Sequence, residues 1–200
     1  MALVGPAMAA ELLGTLTGAG LIGPSLPFFC SALGLGLVSA TVGQTFTTTD
    51  TGSGPSAGIG VGVGLTLAPT SAMKAAMLVE GLSKGFVPTP EAEAVYDAIA
   101  TAYTNQLALA TLTSTHTPVF LGSGTVVPGS IPITKASASG IVGPLGQGLG
   151  MLGDSWLDFS DVVCAGIEVG ILAAAGTVVI TGAPPPTPAP ATGSGSGIIS

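Results

Sequence analysis

Four acidic residues form the densest group of side chains that could do chemistry. Asp154, Asp158 and Asp161 would share one face of a helix, and Glu168 follows about two turns later. Converging carboxylates bind hard cations when loops supply further oxygens. Acidic residues also stabilise the first turn of a helix through its dipole. The second explanation needs no additional ligands, so we expect no metal site and no cofactor.

The other motifs that could carry chemistry are isolated or incomplete. The single histidine, His116, has no second histidine, thiol or acid near it in the sequence, whereas a general base or metal ligand works with such a group. Residues 58–64 and 143–150 are glycine-rich but lack the Gly-Lys-Ser/Thr ending of a phosphate-binding loop. Gly122-Ser-Gly124 is not a nucleophile elbow. We therefore predict no catalytic residue, and the chain is not expected to be an enzyme.

The two cysteines, Cys30 and Cys164, are too few for a disulfide framework and lie far apart. Free cysteine behaves as a small hydrophobic residue and is usually buried. We expect two buried free thiols, with a single bridge between them as the alternative.

Low charge is the most unusual property of the sequence. Only 6% of the 200 residues are charged, with three lysines, no arginine and a net charge of -7, while 47% are hydrophobic. A soluble domain carries about 25% charged residues. A protein surface with as little charge as this chain has is expected to be covered either by lipid or by other protein. Three scattered lysines cannot form a basic groove, which excludes nucleic acid and argues against an anionic membrane surface.

Two stretches, residues 12–42 and 162–180, approach the roughly 20 apolar residues of a membrane-spanning helix. Pro24 and Pro27 interrupt the first, which suits a bent or hairpin element, and Glu168 interrupts the second. No lysine or arginine flanks either stretch. A small integral membrane protein with Gly/Ala-rich hairpin segments is therefore the alternative rather than the main interpretation. The N-terminal residues lack a basic region, so no signal peptide is expected and a secreted protein is disfavoured.

Hydrophobic periodicity predicts helices over residues 7–17, 71–84, 91–112 and 154–175. The clearest begins with Thr89 as N-cap and Pro90 at the first helical position, while Ser71 or Thr70 would cap the helix before it and Gly85 would end that helix. Thr/Val-rich residues 41–48, 124–127 and 177–181 favour extended structure, which nearby prolines restrict to sheet edges or arms.

These elements predict an α+β fold, in which short helices alternate with extended Gly/Thr/Pro-rich arms. Three degenerate helix-plus-arm repeats are expected, with aligned segments beginning at Leu37, Val119 and Ala173. The corresponding modules are residues 1–70, residues 71–148 and residues 149–182. Residues 183–200 are Pro-rich and then Gly/Ser-rich, which predicts a spacer and a flexible docking arm.

Ala/Gly/Thr-rich short helices joined to Pro/Gly arms give the chain a compositional resemblance to minor structural proteins of tailed bacteriophages and related contractile tail-like assemblies. The resemblance implies a non-enzymatic structural subunit of a virion or phage-tail-like particle, assembled in the host cytoplasm. Its partners would be other copies of the chain and other structural proteins of the assembly. No motif transfers a functional residue. Large apolar side chains are the candidate interface residues: Trp156, Tyr96, Tyr103, Phe120, Ile198 and Ile199.

Overall fold

The computed structural model describes residues 4–53, 58–63, 66, 69–85, 87–109, 111–117, 121–126, 133–150, 154–171, 176–181 and 190–199. These residues form six helices and six strands, arranged as two helices followed by two strands, three times over. More of them lie in helices than in strands, and the strands pair in antiparallel fashion. The predicted combination of helices and strands is confirmed at this level.

Each group of two helices and two strands is called a unit here. The first unit contains α1 (Gly5–Gly18), α2 (Leu26–Thr41), β1 (Thr45–Ser53) and β2 (Gly58–Val63). The second unit contains α3 (Thr70–Ser83), α4 (Pro90–Ala108), β3 (Leu112–Thr117) and β4 (Leu121–Val126). The third unit contains α5 (Lys135–Gly148), α6 (Asp154–Ile171), β5 (Gly176–Thr181) and β6 (Pro190–Ile199).

The helices form a closed ring. Each helix packs against the next one in the chain, and α6 packs against α1. Neighbours run antiparallel, as shown at the closing contact, where Gly166 of α6 lies against Leu12 and Gly170 lies against Met8, nearer the start of α1. None of the helices in the described residues combines the length and hydropathy needed to cross a bilayer.

An interval of 65 residues relates the first helices of the three units. Gly20, Gly85 and Gly150 follow α1, α3 and α5 with positive φ angles of 85°, 78° and 93°. Glycine adopts this left-handed conformation without the steric penalty of a Cβ, which is why it ends helices. The buried residues of these helices recur at the same interval: Met8, Leu12 and Leu16; Met73, Met77 and Gly81; Ala138, Val142 and Gly146.

The strands form a closed barrel in chain order, with β6 returning to pair with β1. The ladder between these two strands runs from Thr45 opposite Ile198 to Ser53 opposite Pro190. Closure removes the unpaired sheet edges that an open array of hairpins would expose. The expectation of extended arms is therefore wrong for the described strands, which are paired on both sides.

Alternation along β1 identifies the face of the barrel that is buried. Phe46 and Thr48 are buried, while Thr45, Thr47 and Thr49 between and beside them are exposed. The Cα partners of the two buried residues are glycines: Gly197 for Phe46, and Gly62 and Gly195 for Thr48. Directly paired residues share a face of the sheet, and a six-stranded barrel has little internal space. Glycine-rich β2 and β6 thus leave room for the side chains of β1.

Ring and barrel share one hydrophobic core. Phe46, Leu112 and Ile199 belong to the same buried cluster as the inward faces of the helices. They stand at the start of β1, the start of β3 and the end of β6, where the strands adjoin the helices. Nearby, the hydroxyls of Thr41 on α2 and Tyr103 on α4 are 2.6 Å apart and form a buried hydrogen bond. The helical ring therefore sits on one end of the barrel.

Sequence patterns located four helices and missed two. The predictions for α1, α3, α4 and α6 agree with the structure to within a few residues, including Thr89 as N-cap and Gly85 as the stop. The predicted cap of α3 is wrong, because Pro69 occupies that position and the Thr70 hydroxyl bonds to Thr104 instead. Two helices were not predicted: α5, which contains Pro144, and α2. The segment that contains α2 was interpreted as a bent or hairpin element, and its hairpin form agrees with the structure, where a turn joins α1 to α2 and the two helices pack together.

The repeat alignment proposed from sequence was in the wrong register. Its copies, beginning at Leu37, Val119 and Ala173, are unequally spaced, whereas the structural units recur at equal intervals. The expected module boundary at residues 148–149 separates α5 from α6, which pack together. Residues 190–199 form β6, held between β1 and β5, so this segment is a barrel strand instead of a flexible arm.

Candidate functional site

Two acidic residues of α6, Asp161 and Glu168, bind Lys135, the first residue of α5. The Asp161 carboxylate forms an ion pair with the Lys135 ammonium group, in which Oδ2 and Nζ are 2.8 Å apart. Glu168 Oε2 accepts a hydrogen bond of 2.6 Å from the Lys135 backbone N–H, an otherwise unsatisfied donor at the helix N-terminus. Asp154 is the first residue of α6, as the helix-dipole explanation expected, but Asp158, Asp161 and Glu168 lie beyond the first turn, so that explanation is wrong for them. Within the described residues, no cluster of side chains has the composition of a metal site.

The ion pair between α5 and α6 shifts both partners toward their charged forms. A hydrogen bond from Lys135, with a further one from Ser139, lowers the pKa of Asp161 below its usual value. The hydrogen bond and the charge of Asp161 raise the pKa of Lys135. Both side chains are about half exposed, so water and salt screen the attraction. The arrangement joins two helices and offers no acid or base poised for proton transfer.

The remaining lysines are also paired within the chain. Lys74 of α3 lies 3.9 Å from Glu93 and 3.7 Å from Asp97 on α4. Lys84 lies 3.7 Å from Glu80, which also accepts a hydrogen bond from Ser31 on α2. Each of the three cations therefore faces an acid of its own chain, and they do not form a basic patch.

The glycine-rich motifs are structural elements. Residues 58–63 are β2, and residues 143–150 form the end of α5 and the turn after it. His116 lies on β3, with Gly58 and Gly124 as its Cα partners, and its side chain is outside the described part of the structure. As far as the structure describes them, these two segments are a strand and the end of a helix with its turn, and neither is the loop at a helix N-terminus that phosphate binding would need.

Both cysteines are buried free thiols, as the sequence predicted. Burial raises the pKa of Cys30 to about 11 and that of Cys164 to about 12. The thiolate is the reactive form of cysteine. At neutral pH these side chains therefore behave as small hydrophobic residues.

Three of the candidate interface residues lie inside the chain's own core. The Trp156 indole N–H donates to the Gly143 carbonyl at 2.9 Å, and its ring packs on Gly146. Tyr96 stacks on Phe29 with ring centroids 5.6 Å apart. Together with Tyr103, these aromatic side chains are almost fully buried, so they have little surface to present to a partner.

Of the other three candidates, the structure places two at the end of β6. Ile199 is buried against the helices, while Ile198 is exposed and pairs with Thr45 and Thr177. Phe120 lies outside the described residues. Only Ile198 is therefore shown on the surface.

Sequence reasoning missed a group of highly exposed apolar residues at the turns between paired helices. Ile22 is 84% exposed and Val87 is 75% exposed, and they stand 65 residues apart, two positions after Gly20 and Gly85. The signal that could have found them is a glycine followed by two apolar residues, repeated at equal intervals. With Leu82 and Leu149 beside the second and third turns, we call these four residues the apolar end of the ring: Ile22, Leu82, Val87 and Leu149.

A cleft of about 360 Å³ opens beside the apolar end, between the turn after α1 and the start of α6. Leu21, Leu26, Phe29 and Phe159 contribute to its lining, which holds no titratable side chain. The cleft can receive an apolar group, and among the described residues that line it the Ser25 hydroxyl is the one side-chain polar group.

Comparisons of the chain with protein-family models, curated proteins and solved structures find no match.

Proposed function

We propose that this protein is a non-enzymatic structural subunit of a large multi-subunit assembly of the virion or phage-tail-like kind. The observation that carries the proposal is the apolar end, where large aliphatic side chains stand exposed at successive turns of the helical ring. The particle type comes from the compositional resemblance.

The energetics of hydration support a covered surface. Burying an exposed Val, Leu or Ile side chain contributes about 1.5–3 kcal/mol. Isolated exposed apolar residues are common, but groups of them mark interaction sites. Here the group is repeated at related turns, in a chain with 6% charged residues and only three cations. Contact with other protein would remove this surface from water.

Protein partners account for the surface better than lipid does. The helices pack against each other in a ring, and their buried faces are already occupied by neighbouring helices. The four residues of the apolar end come from three different turns and from the end of α3, so they do not form the lengthwise stripe of an interfacial membrane helix. We therefore place other copies of the chain, and other structural proteins, at the apolar end.

The test is the mass of the purified full chain in detergent-free buffer, measured by light scattering across a concentration series and followed by imaging. We expect reversible self-association into defined particles. A monodisperse monomer at every concentration, or a chain that stays in solution only with detergent, would contradict the proposal.

A matched pair of variants locates the contact. Ile22→Ser combined with Val87→Ser should weaken self-association at least tenfold while leaving the circular dichroism spectrum unchanged. The control is Leu109→Ser, because Leu109 is 78% exposed but follows α4 at the opposite end of the ring. Equal effects of the double variant and the control would remove the apolar end as the specific contact.

A further inference from the structure

The three units of the chain are joined at three places, and only two of these have a connecting peptide. Chain segments link β2 to α3 and β4 to α5. The third joint, which we call the seam, consists of the packing of α6 on α1 and the pairing of β6 with β1. The seam is therefore held by non-covalent contacts alone.

Packing at the seam repeats the packing at a linked joint. Where α2 meets α3, Gly36 receives the side chain of Met77. At the seam, Gly166 lies against Leu12, whose Cδ2 is 2.9 Å from an ideal Cβ position on that glycine. Leu12 precedes Met77 by one interval of 65 residues, and Gly166 follows Gly36 by two such intervals. Equivalent positions of the units therefore pack a glycine against a large side chain both at the linked joint between α2 and α3 and at the seam, which has no linker.

In the barrel, the seam has the longest ladder. β1 pairs with β6 from Thr45 to Ser53, whereas the ladders at the two linked joints cover only Gly58 to Gly62 of β2 on β3 and Leu121 to Thr125 of β4 on β5. Antiparallel ladders satisfy backbone donors and acceptors that would otherwise need water. A joint without a peptide link is therefore at least as extensively bonded as a linked one.

We infer that each unit carries a complete recognition surface for another copy of the same unit, and that this surface, instead of the linkers, holds the ring together. The surface consists of the outer helix and outer strand on each side of a unit. Its partner is a neighbouring unit, either of the same chain or of a second copy. This inference is independent of the proposed function.

The test cuts the folded full chain at a linked joint. A protease site inserted between Thr66 and Pro69 allows cleavage after folding, which separates the first unit covalently from the other two. We expect both pieces to co-elute at micromolar concentration and to unfold in one transition whose midpoint rises with protein concentration. Dissociation of the pieces in native buffer would overturn the inference.

A control cut within a unit makes the test specific. A site inserted at residues 22–24, in the turn between α1 and α2, releases a short piece that carries only the 14-residue helix α1 instead of a whole unit. An isolated helix of this length is marginal in water and has lost its own strands. We expect this piece to bind at least tenfold more weakly than the whole unit; equal or tighter binding would overturn the inference.

Exchange and permutation provide readouts that do not depend on one insertion. Labelled first unit from cleaved protein should exchange into unlabelled cleaved protein on mixing, and Gly166→Leu should accelerate this exchange by weakening the seam.

A full-length permutant, in which the native ends are joined and the new ends lie between β2 and α3, should give the same circular dichroism spectrum as the original chain. Equal exchange rates with and without Gly166→Leu, or an unfolded permutant, would contradict recognition between units.

Discussion

The helical ring and the barrel close in the same way but are stabilised by different chemistry. In both, the first and last elements of the chain meet, α1 with α6 and β1 with β6. The ring closes by fitting large side chains over glycines, whereas the barrel closes by backbone hydrogen bonding between strands whose buried positions include glycine. One residue type therefore serves two purposes: it admits a neighbouring helix in the ring and limits side-chain volume in the barrel.

The largest expected effect comes from a glycine at which two helices touch through their backbones. A Cβ on Gly34 of α2 would lie 2.8 Å from both the Ala9 nitrogen and the Gly5 carbonyl oxygen of α1. Backbone atoms cannot move aside as a flexible side chain can, so Gly34→Ala should lower the free energy of unfolding by about 3 kcal/mol. Urea denaturation monitored by circular dichroism measures the change.

The control is Gly14→Ala on α1, where a Cβ would have nothing within 4 Å. Alanine has a higher helix propensity than glycine, so this variant should gain about 0.5–1 kcal/mol. If both variants change stability in the same direction, the close approach of α1 and α2 is not a determinant of the ring.

In the barrel, two adjacent residues of β6 should respond oppositely to the same side chain. Gly197 pairs with the buried Phe46, while Ser196 pairs with the exposed Thr47. Gly197→Val adds volume to the crowded face and should cost about 2 kcal/mol. Ser196→Val places a β-branched residue on the other face and should be neutral or slightly stabilising.

Thermal unfolding of the two β6 variants measures the difference in their stability. A larger loss for Ser196→Val than for Gly197→Val would mean that the faces of the barrel are reversed.

Two buried tyrosines of α4 allow a smaller effect to be predicted. The Tyr103 hydroxyl bonds to Thr41 where the ring meets the barrel, while the Tyr96 hydroxyl has no hydrogen-bond partner within the described residues. Tyr103→Phe should therefore cost about 1 kcal/mol, and Tyr96→Phe should be neutral or stabilising. Denaturant midpoints of the two variants measure the difference, and an equal loss in both would argue against the bond between α2 and α4.

The smallest effect is expected at the ion pair between α5 and α6. Because Lys135 lowers the pKa of Asp161 in the folded state, the pair stabilises the fold above the ordinary carboxylate pKa of 3.8. That contribution is lost as the pH falls through the lower folded pKa. Lys135→Met should thus reduce the urea midpoint slightly at neutral pH, and the difference should vanish in acid. A difference that persists unchanged in acid would assign it to something other than the charge.

The ring was more accessible to sequence reasoning than the barrel. Helix α4 carries an N-cap, acidic residues in its first turn and a clear periodicity, which together define its start. Helix α5 was missed because Gly140, Gly143 and Pro144 weaken its local signal, although Thr134 and Ser137 form a capping box at its start. Its neighbours in the ring supply the stability that its sequence lacks.

The barrel could be predicted only in part. Thr/Val-rich residues 41–48, 124–127 and 177–181 favour extended structure and overlap β1, β4 and β5, whereas β2 and β6 have low intrinsic strand propensity. Gly58–Val63 and Pro190–Ile199 contain alternating glycines, which typically indicate flexible segments. Their structure depends on pairing with residues distant in the sequence, such as Thr48 with Gly195. The same limit applies to the apolar end, because exposure is a property of the assembled ring. Ile22 and Val87 differ in sequence context from buried residues only through their position after a left-handed glycine.

Pairing of the first strand with the last closes the barrel, and nuclear Overhauser effects between backbone protons can detect it. The structure predicts cross-strand effects from Gly195 to Thr48 on β1 and also to Ile180 on β5, in the same sample at low concentration. Effects to β5 without any to β1 would leave the barrel open and contradict the account.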